Sequence, residues 1–239
     1  MIAHMTQIST EQEISQMFNE ISHAYDKNNH ILSLGLDRRW RKKLALHLPE
    51  GENLSLLDLA TGTCDQLLPL MATGKFESAL GIDLAEGMLE FGKQKISSTP
   101  YKDQISLKVA SALEIPTEPE SFDCVTISFG IRNVGSLPEC LKEIHRVLAP
   151  GGRALILEFS LPKNRLIRPF HLLYLRHILP FVGGLVSGKM GAYRYLNKTI
   201  ESFPYGEAFL GKMQEAGFSK VQALPLTLGV ATLYIGDKG

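Results

Sequence analysis

Acidic and small polar residues recur just after short apolar runs: Asp58-Leu59-Ala60-Thr61-Gly62-Thr63-Cys64-Asp65, then Asp83, then Ala110-Ser111-Ala112, then Ser128-Phe129-Gly130. A dinucleotide site would want three glycines spaced to let a pyrophosphate approach a helix N-terminus. The first loop offers only Gly62 and carries Asp58 and Asp65 at its two ends. Carboxylates there would repel a pyrophosphate and suit a ligand bearing an ammonium and a sulfonium. Asp83 stands where both hydroxyls of a ribose can donate to it, in charge-assisted bonds worth roughly 1.5–3 kcal/mol. An Asp at a strand end can merely cap the next helix, and a lone Gly can merely turn the chain. Recurrence at successive strand ends is much harder to explain that way, and the set points to S-adenosylmethionine rather than NAD.

An alternation of strands and helices must position these residues. Leu54–Leu59, Ser78–Ile82, Ile105–Val109, Cys124–Phe129 and Ala154–Phe159 are short apolar runs, and helical patterns such as Leu137–Leu148 lie between them. Such alternation predicts a parallel sheet covered on both faces. Ligands then bind beyond the carboxyl ends of the strands, where strand order reverses. A helix over Tyr205–Ala216 should end in a left-handed cap at Gly217. Two last strands, near Val221–Leu224 and Val230–Ile235, lie too close together for a parallel crossover and predict an antiparallel hairpin. Upstream, Ile14, Met17, Phe18, Ile21 and Tyr25 recur at helical steps until turn-favouring residues intervene from Asp26. The chain reads as one domain over 1–239: an N-terminal helical lid over 1–49, a cofactor-binding core over 54–159, a substrate-side helical insertion over 160–204, and a C-terminal helix and hairpin over 205–239.

Lys+Arg and Asp+Glu both number 25, so the formal charge is zero. That argues against nucleic acid as a partner, since phosphate contacts need a basic surplus. The densest basic run, Arg38-Arg39-Trp40-Arg41-Lys42-Lys43, reads as a solvated helix face in preference to a contact with anionic lipid. Cys64, Cys124 and Cys140 fit no metal spacing, no metal is expected, and a reducing, cytoplasmic setting is the simplest reading. No signal peptide is visible. The most apolar long window, Leu166–Val186, contains Arg168, His171, Arg176, His177, Pro169 and Pro180, and makes a poor bilayer span. Its Phe170, Leu172, Leu173, Leu175, Ile178, Leu179 and Phe181 fit a lipid-tail channel, a membrane-surface contact or plain core packing, and the interspersed Arg168, Arg176 and Lys189 favour an interfacial role.

Two stretches resemble the signatures of the ubiquinone/menaquinone biosynthesis C-methyltransferases: Tyr25-Asp26-Lys27-Asn28-Asn29-His30-Ile31-Leu32-Ser33-Leu34-Gly35-Leu36-Asp37-Arg38-Arg39-Trp40, and the run from Arg146 through Pro150-Gly151-Gly152 to Ser160. The stretch Phe122–Val134, with Phe129-Gly130-Ile131-Arg132-Asn133-Val134 at its end, and the block Tyr193–Leu196 with Ser202-Phe203-Pro204 are similar to the same family. The resemblance covers nearly the whole chain and implies a class I methyltransferase: a Rossmann-like sheet of seven mostly parallel strands with helices on both faces. It places cofactor contacts at Thr63, Asp83, Ser111, Ala112 and Ser128, beside the Asp58 and Gly62 of the first loop. The sequence departs from the family at Cys64 (usually Gly), Ser111 (usually Asn or Asp), Asp37 (usually His), Asn28 and Ala149.

The resemblance further implies methyl transfer to an unsubstituted ring carbon of a prenylated quinol, demethylmenaquinol or a benzoquinol precursor of ubiquinone or both, and the lack of a visible organelle-targeting extension favours demethylmenaquinol. Carbon becomes nucleophilic enough only when an adjacent hydroxyl loses its proton, so the site must orient the ring, exclude water and favour the phenolate. Arg132 is the first candidate to stabilise a phenolate oxygen, with a structural ion pair as the competing reading. Asn133 can bond the second oxygen, Asp26 can act as a base through water, and Tyr25 and Asn29 share the segment that would fold over the cofactor. Tyr195 is a pocket candidate, although packing explains it and Tyr25 equally well. His145 reads as structural, and Cys124, inside an apolar strand, as an inert thiol. A methyltransferase acting on oxygen or nitrogen of another metabolite, and a non-catalytic cofactor-binding subunit, remain as rivals. A homodimer stays open.

Overall fold

A computed structural model describes residues 11–22, 30, 33–181 and 190–239. Seven strands make one sheet in the order β3-β2-β1-β4-β5-β7-β6: β1 (Leu54–Leu59), β2 (Phe76–Asp83), β3 (Ile105–Val109), β4 (Phe122–Ser128), β5 (Leu148–Phe159), β6 (Ser219–Leu226) and β7 (Ala231–Asp237). All neighbours pair in parallel except β7, which runs antiparallel to both β5 and β6. The expected hairpin is therefore present, closed by a tight turn at Thr227–Gly229. Strand order reverses between β1 and β4, and that is where the first loop and the β4 loop face each other.

Side chains alternate across a strand, so a buried parallel sheet needs apolar residues on both parities. Leu57, Leu59, Val125, Ile127, Ala154 and Ile156 pack on one face, while Leu56, Cys124, Leu155 and Leu157 pack on the other. On the first side lie α5 (Leu137–Val147), presenting Cys140, Leu141, Ile144 and Val147, and α8 (Glu207–Glu215), presenting Phe209 and Met213. Gly217 ends α8 at φ 103°, the left-handed conformation its position predicts. On the second side lie α2 (Leu36–Ala45), with Trp40 and Leu44, and α3 (Leu67–Met71). The remaining helices are α1 (Glu11–Ile21), α4 (Glu86–Ser97), α6 (Ile167–Leu173), which continues into a π-helical turn at Tyr174–Ile178, and α7 (Met190–Ser202).

Three local readings change. β5 begins at Leu148 rather than Ala154, because Leu148 already pairs with Phe122 and the Gly151-Gly152 backbone exchanges hydrogen bonds with Lys238. The basic run on α2 is not one solvated face. Trp40 is 2% exposed and donates its indole N–H to Thr227 Oγ1 at 2.8 Å, and Arg41 turns into the cleft described below; only Arg38, Arg39, Lys42 and Lys43 are exposed. The apolar insertion divides its residues. Leu175 and Leu179 pack with Leu161 and Ile200, while Leu166, Phe170, Leu173, Ile178 and Phe181 are exposed. No helix among the described residues is long and apolar enough to cross a membrane.

Candidate active site

A cleft open to solvent lies at the carboxyl ends of β1, β2 and β4, where ligands bind in sheets of this kind. Asp58, Gly62, Thr63, Asp83, Ala112, Ser128 and Asn133 all line it. Backbone geometry there is unusual. Ala60 (φ 47°), Gly62 (φ 55°) and Cys64 (φ 66°) after β1, and Phe129 (φ 61°) after β4, are left-handed, a conformation that costs non-glycine residues free energy and tends to collect at functional sites. The two loops approach so closely that a Cβ on Gly130 would lie 2.5 Å from that of Ala60. Cys64, where the resemblance leads one to expect glycine, adopts the left-handed turn. Its sulfur is accommodated by Gly92 of α4, where a Cβ would come within 2.6 Å.

The acidic residues differ in their commitments. Asp58 is 1% exposed and accepts hydrogen bonds from Thr61 Oγ1 at 2.6 Å and Thr126 Oγ1 at 2.5 Å. Burial raises its pKa to about 6 against those bonds and the nearby charge of Arg41. Asp83 accepts from Gly62 N at 2.9 Å and Ala85 N at 2.8 Å, one bond on each oxygen, so the carboxylate is fixed in plane at the cleft wall. Desolvation pushes its pKa up as well. Asp65 is neutralised within the protein: Lys95 Nζ lies 2.7 Å away and His30 Nε2 3.8 Å. Of the two loop carboxylates, Asp58 is therefore the one left for a cationic ligand. Lys95 also donates to Thr63 Oγ1 at 3.0 Å. At residue 37 the departure from the family places a carboxylate that His30 Nδ1 meets at 2.6 Å and Ser33 Oγ at 2.6 Å.

Ser111 does not reach the wall. Its hydroxyl accepts from Leu113 N, and Ala110 and Ala112 line the cleft instead. Arg132 also lies behind the wall. Its side chain is 5% exposed, pairs with Glu158 (0% exposed) at 2.7 Å, donates to the Phe129 carbonyl and stacks on Phe159. Its Nε has no partner, and neither has Oδ1 of Asn133 beside it. Tyr195 is half-buried and close enough for Arg132 to counter, in part, the upward shift that burial gives its phenol. Tyr25, Asp26 and Asn29 lie outside the described residues. His145 packs edge-on against Phe218, away from the cleft, and Cys124 is fully buried.

Several wall residues carry no sequence signal of their own. Gln66 is 2% exposed, accepts from Ser128 Oγ at 3.2 Å and leaves its amide nitrogen unpartnered. Arg41 stacks over Phe129 at 5.3 Å. Ile14, Ser15 and Phe18 of α1 close one side, with Ser15 Oγ donating to the Leu84 carbonyl at 2.8 Å and Asn19 Oδ1 accepting from Gly87 N at 2.8 Å.

The model of the ubiE/COQ5 methyltransferase family matches residues 5–238. Among curated proteins, the chain is 42% identical to a ubiquinone/menaquinone biosynthesis C-methyltransferase UbiE of Geotalea daltonii, over 95% of this chain and 97% of that one. It is 41% identical to a demethylmenaquinone methyltransferase of Thermus thermophilus, over 93% and 100% respectively. Among solved structures, a SAM-dependent methyltransferase of Thermotoga maritima superposes with a TM-score of 0.65 at 18% identity, over 95% of this chain and all of that one, a likeness of fold.

Proposed function

We infer that this chain, which belongs to the ubiE/COQ5 methyltransferase family, is an S-adenosylmethionine-dependent C-methyltransferase that methylates the ring of a prenylated quinol, demethylmenaquinol first among the substrates. The observation that carries the reading is the pair of carboxylates at the ends of β1 and β2. Asp58 is buried with an unneutralised place beside it for a cation, and Asp83 is clamped by two backbone N–H groups with lone pairs still free for ribose hydroxyls. The donor set fits the cofactor: carboxylates for cations and hydroxyls, and small residues Ala110 and Ala112 for the flat base. The cofactor supplies an electrophilic methyl group on a sulfonium.

The protein's own residues do the rest. Gly62 and Thr63 shape the first loop around the ligand, and Ser128 ends the strand nearest the reacting centre. The unpartnered Oδ1 of Asn133 accepts a hydrogen bond from one quinol hydroxyl, holding the ring at the cleft mouth. Arg132, held by Glu158 behind the wall, contributes fixed positive charge as the second hydroxyl gives up its proton. Tyr195, its phenol kept neutral by burial, donates to the same oxygen. Asp26, with Tyr25 in the first signature, is assigned the base role, taking the proton through water. With the cofactor bound, electron density from the phenolate would form the new ring carbon–methyl bond as the methyl–sulfur bond breaks and leaves a neutral thioether, and the ring proton would pass through water to solvent to restore aromaticity.

The lid role assigned to the N-terminal segment is supported by Ile14 and Phe18 of α1, which line the cleft together with Asp83 and Leu84. The exposed row Leu166, Phe170, Leu173, Ile178 and Phe181, bordered by the exposed Arg165, Arg168 and Arg176, rests on an anionic membrane surface from the cytoplasmic side, where a quinol of this kind resides. Parallel assays with reduced demethylmenaquinone, with the benzoquinol precursor and with soluble oxygen or nitrogen acceptors test the substrate. Preference for the naphthoquinol supports the reading; turnover confined to the benzoquinol or to a soluble acceptor sinks it.

A further inference from the structure

The basic residue at position 41 and the glutamine at position 66 remain without a role in the account above, yet both are aimed into the cleft. Arg41 lines it with its guanidinium stacked on the Phe129 ring, and no ion pair satisfies it among the described residues. Its Nε is buried and unpartnered. Gln66 is fixed from the other side. Ser128 Oγ donates to its carbonyl oxygen at 3.2 Å, so the amide nitrogen is the end left over, and that nitrogen too is buried without a partner. Buried donors left unmade are costly, and each one in a folded protein calls for an explanation. Two such donors in one cavity, neither hydrogen-bonded to a protein acceptor, describe the complement of a carboxylate. A guanidinium is well suited to bind one through two parallel N–H groups.

We infer that Arg41, with the free amide of Gln66, recognises the carboxylate of the cofactor's amino-acid tail. The inference rests on the reading that this cleft holds S-adenosylmethionine. In that tail the ammonium and the carboxylate sit on one carbon, so a wall that meets the ammonium with Asp58 must offer donors for the carboxylate a few ångströms away. Arg41 satisfies that requirement: its charge is felt at Asp58, yet the two do not form an ion pair. The aromatic layer beneath, Trp40 against Phe129 at 6.0 Å and Phe129 against Phe159 at 4.6 Å, holds the guanidinium at a fixed height.

Calorimetric titration with two ligands separates this role from general pocket integrity. S-adenosylhomocysteine carries the amino-acid tail; 5′-methylthioadenosine carries the nucleoside and lacks the tail. Arg41→Met should weaken S-adenosylhomocysteine about 10- to 100-fold and leave methylthioadenosine within about twofold, with Arg41→Lys intermediate and Gln66→Met showing a smaller loss of the same selectivity. Binding of methylthioadenosine also reports that each variant is folded. An equal loss for both ligands, or no loss for either, overturns the inference. Failure of the unaltered protein to bind either ligand would instead overturn the cofactor reading on which it rests.

Discussion

Asp58 shows how much a single residue can reveal. Burial holds its folded pKa near 6, above the ordinary 3.8, so between about pH 4 and pH 6 the folded protein binds more protons than the unfolded chain. Ionising Asp58 therefore costs stability as pH rises through that window, on the order of 3 kcal/mol once complete. Denaturant unfolding of the cofactor-free protein should show the wild type losing about that much relative to Asp58→Asn between pH 4 and pH 7; parallel curves would contradict the assignment. A second residue-scale prediction concerns Arg132 and Glu158, 5% and 0% exposed in their side chains. Arg132→Met strands a buried charge and should cost about 3–5 kcal/mol, while adding Glu158→Leu should restore most of the stability. Methyl transfer should stay lost in the double variant; its return would reduce Arg132 to a structural role. The gathering of Asp58, Gly62, Thr63, Asp83 and Ser128 at one cleft was legible because residues that follow parallel strands collect at one end of the sheet. Arg41 and Gln66 were not, since which way a helical residue faces depends on packing that local spacing does not reveal. A basic run flanking one tryptophan was the only hint, and it favours a solvated face until Trp40 is seen to be buried.

At the scale of elements, α1 is the piece whose function exceeds its packing. Its contacts include Ser15 to the Leu84 carbonyl and Asn19 to the first turn of α4, and Ile14 and Phe18 line the cleft. A chain lacking residues 1–22 should fold and bind S-adenosylhomocysteine with dissociation at least about tenfold faster by stopped-flow, because a lid slows ligand escape; an unchanged rate would contradict the lid. The helical period of this segment was readable in the sequence. The π-helical turn at Tyr174–Ile178 was not, as nothing in Tyr-Leu-Arg-His-Ile marks one. Its wider turn takes up an extra residue, within a segment where Leu166, Phe170, Leu173, Ile178 and Phe181 are exposed.

The whole molecule combines a balanced charge, 25 basic against 25 acidic residues, with one concentrated apolar row. Attraction to a membrane must then come from that row and its arginines rather than from net charge. Phe170→Ser combined with Phe181→Ser should cut co-sedimentation with anionic vesicles at least about tenfold, given the apolar area each ring would bury. Transfer to a short-tailed quinol in detergent should be unaffected, and loss of both together would place these rings in the active site instead. The doubly wound sheet was legible throughout, since apolar runs of strand length alternate with helices and only the last gap is too short for a crossover; how the insertion divides between core and surface depends on tertiary contacts. The central claim is carbon methylation of a quinol at the cleft between β1, β2 and β4. Its most direct test is incubation with methyl-labelled S-adenosylmethionine and chemically reduced demethylmenaquinone, followed by mass spectrometry of the lipid extract with fragmentation to locate the label. The account predicts one labelled methyl on a ring carbon, absent with Asp83→Ala. Label on a quinol oxygen, or none in a preparation that binds the cofactor, would contradict it.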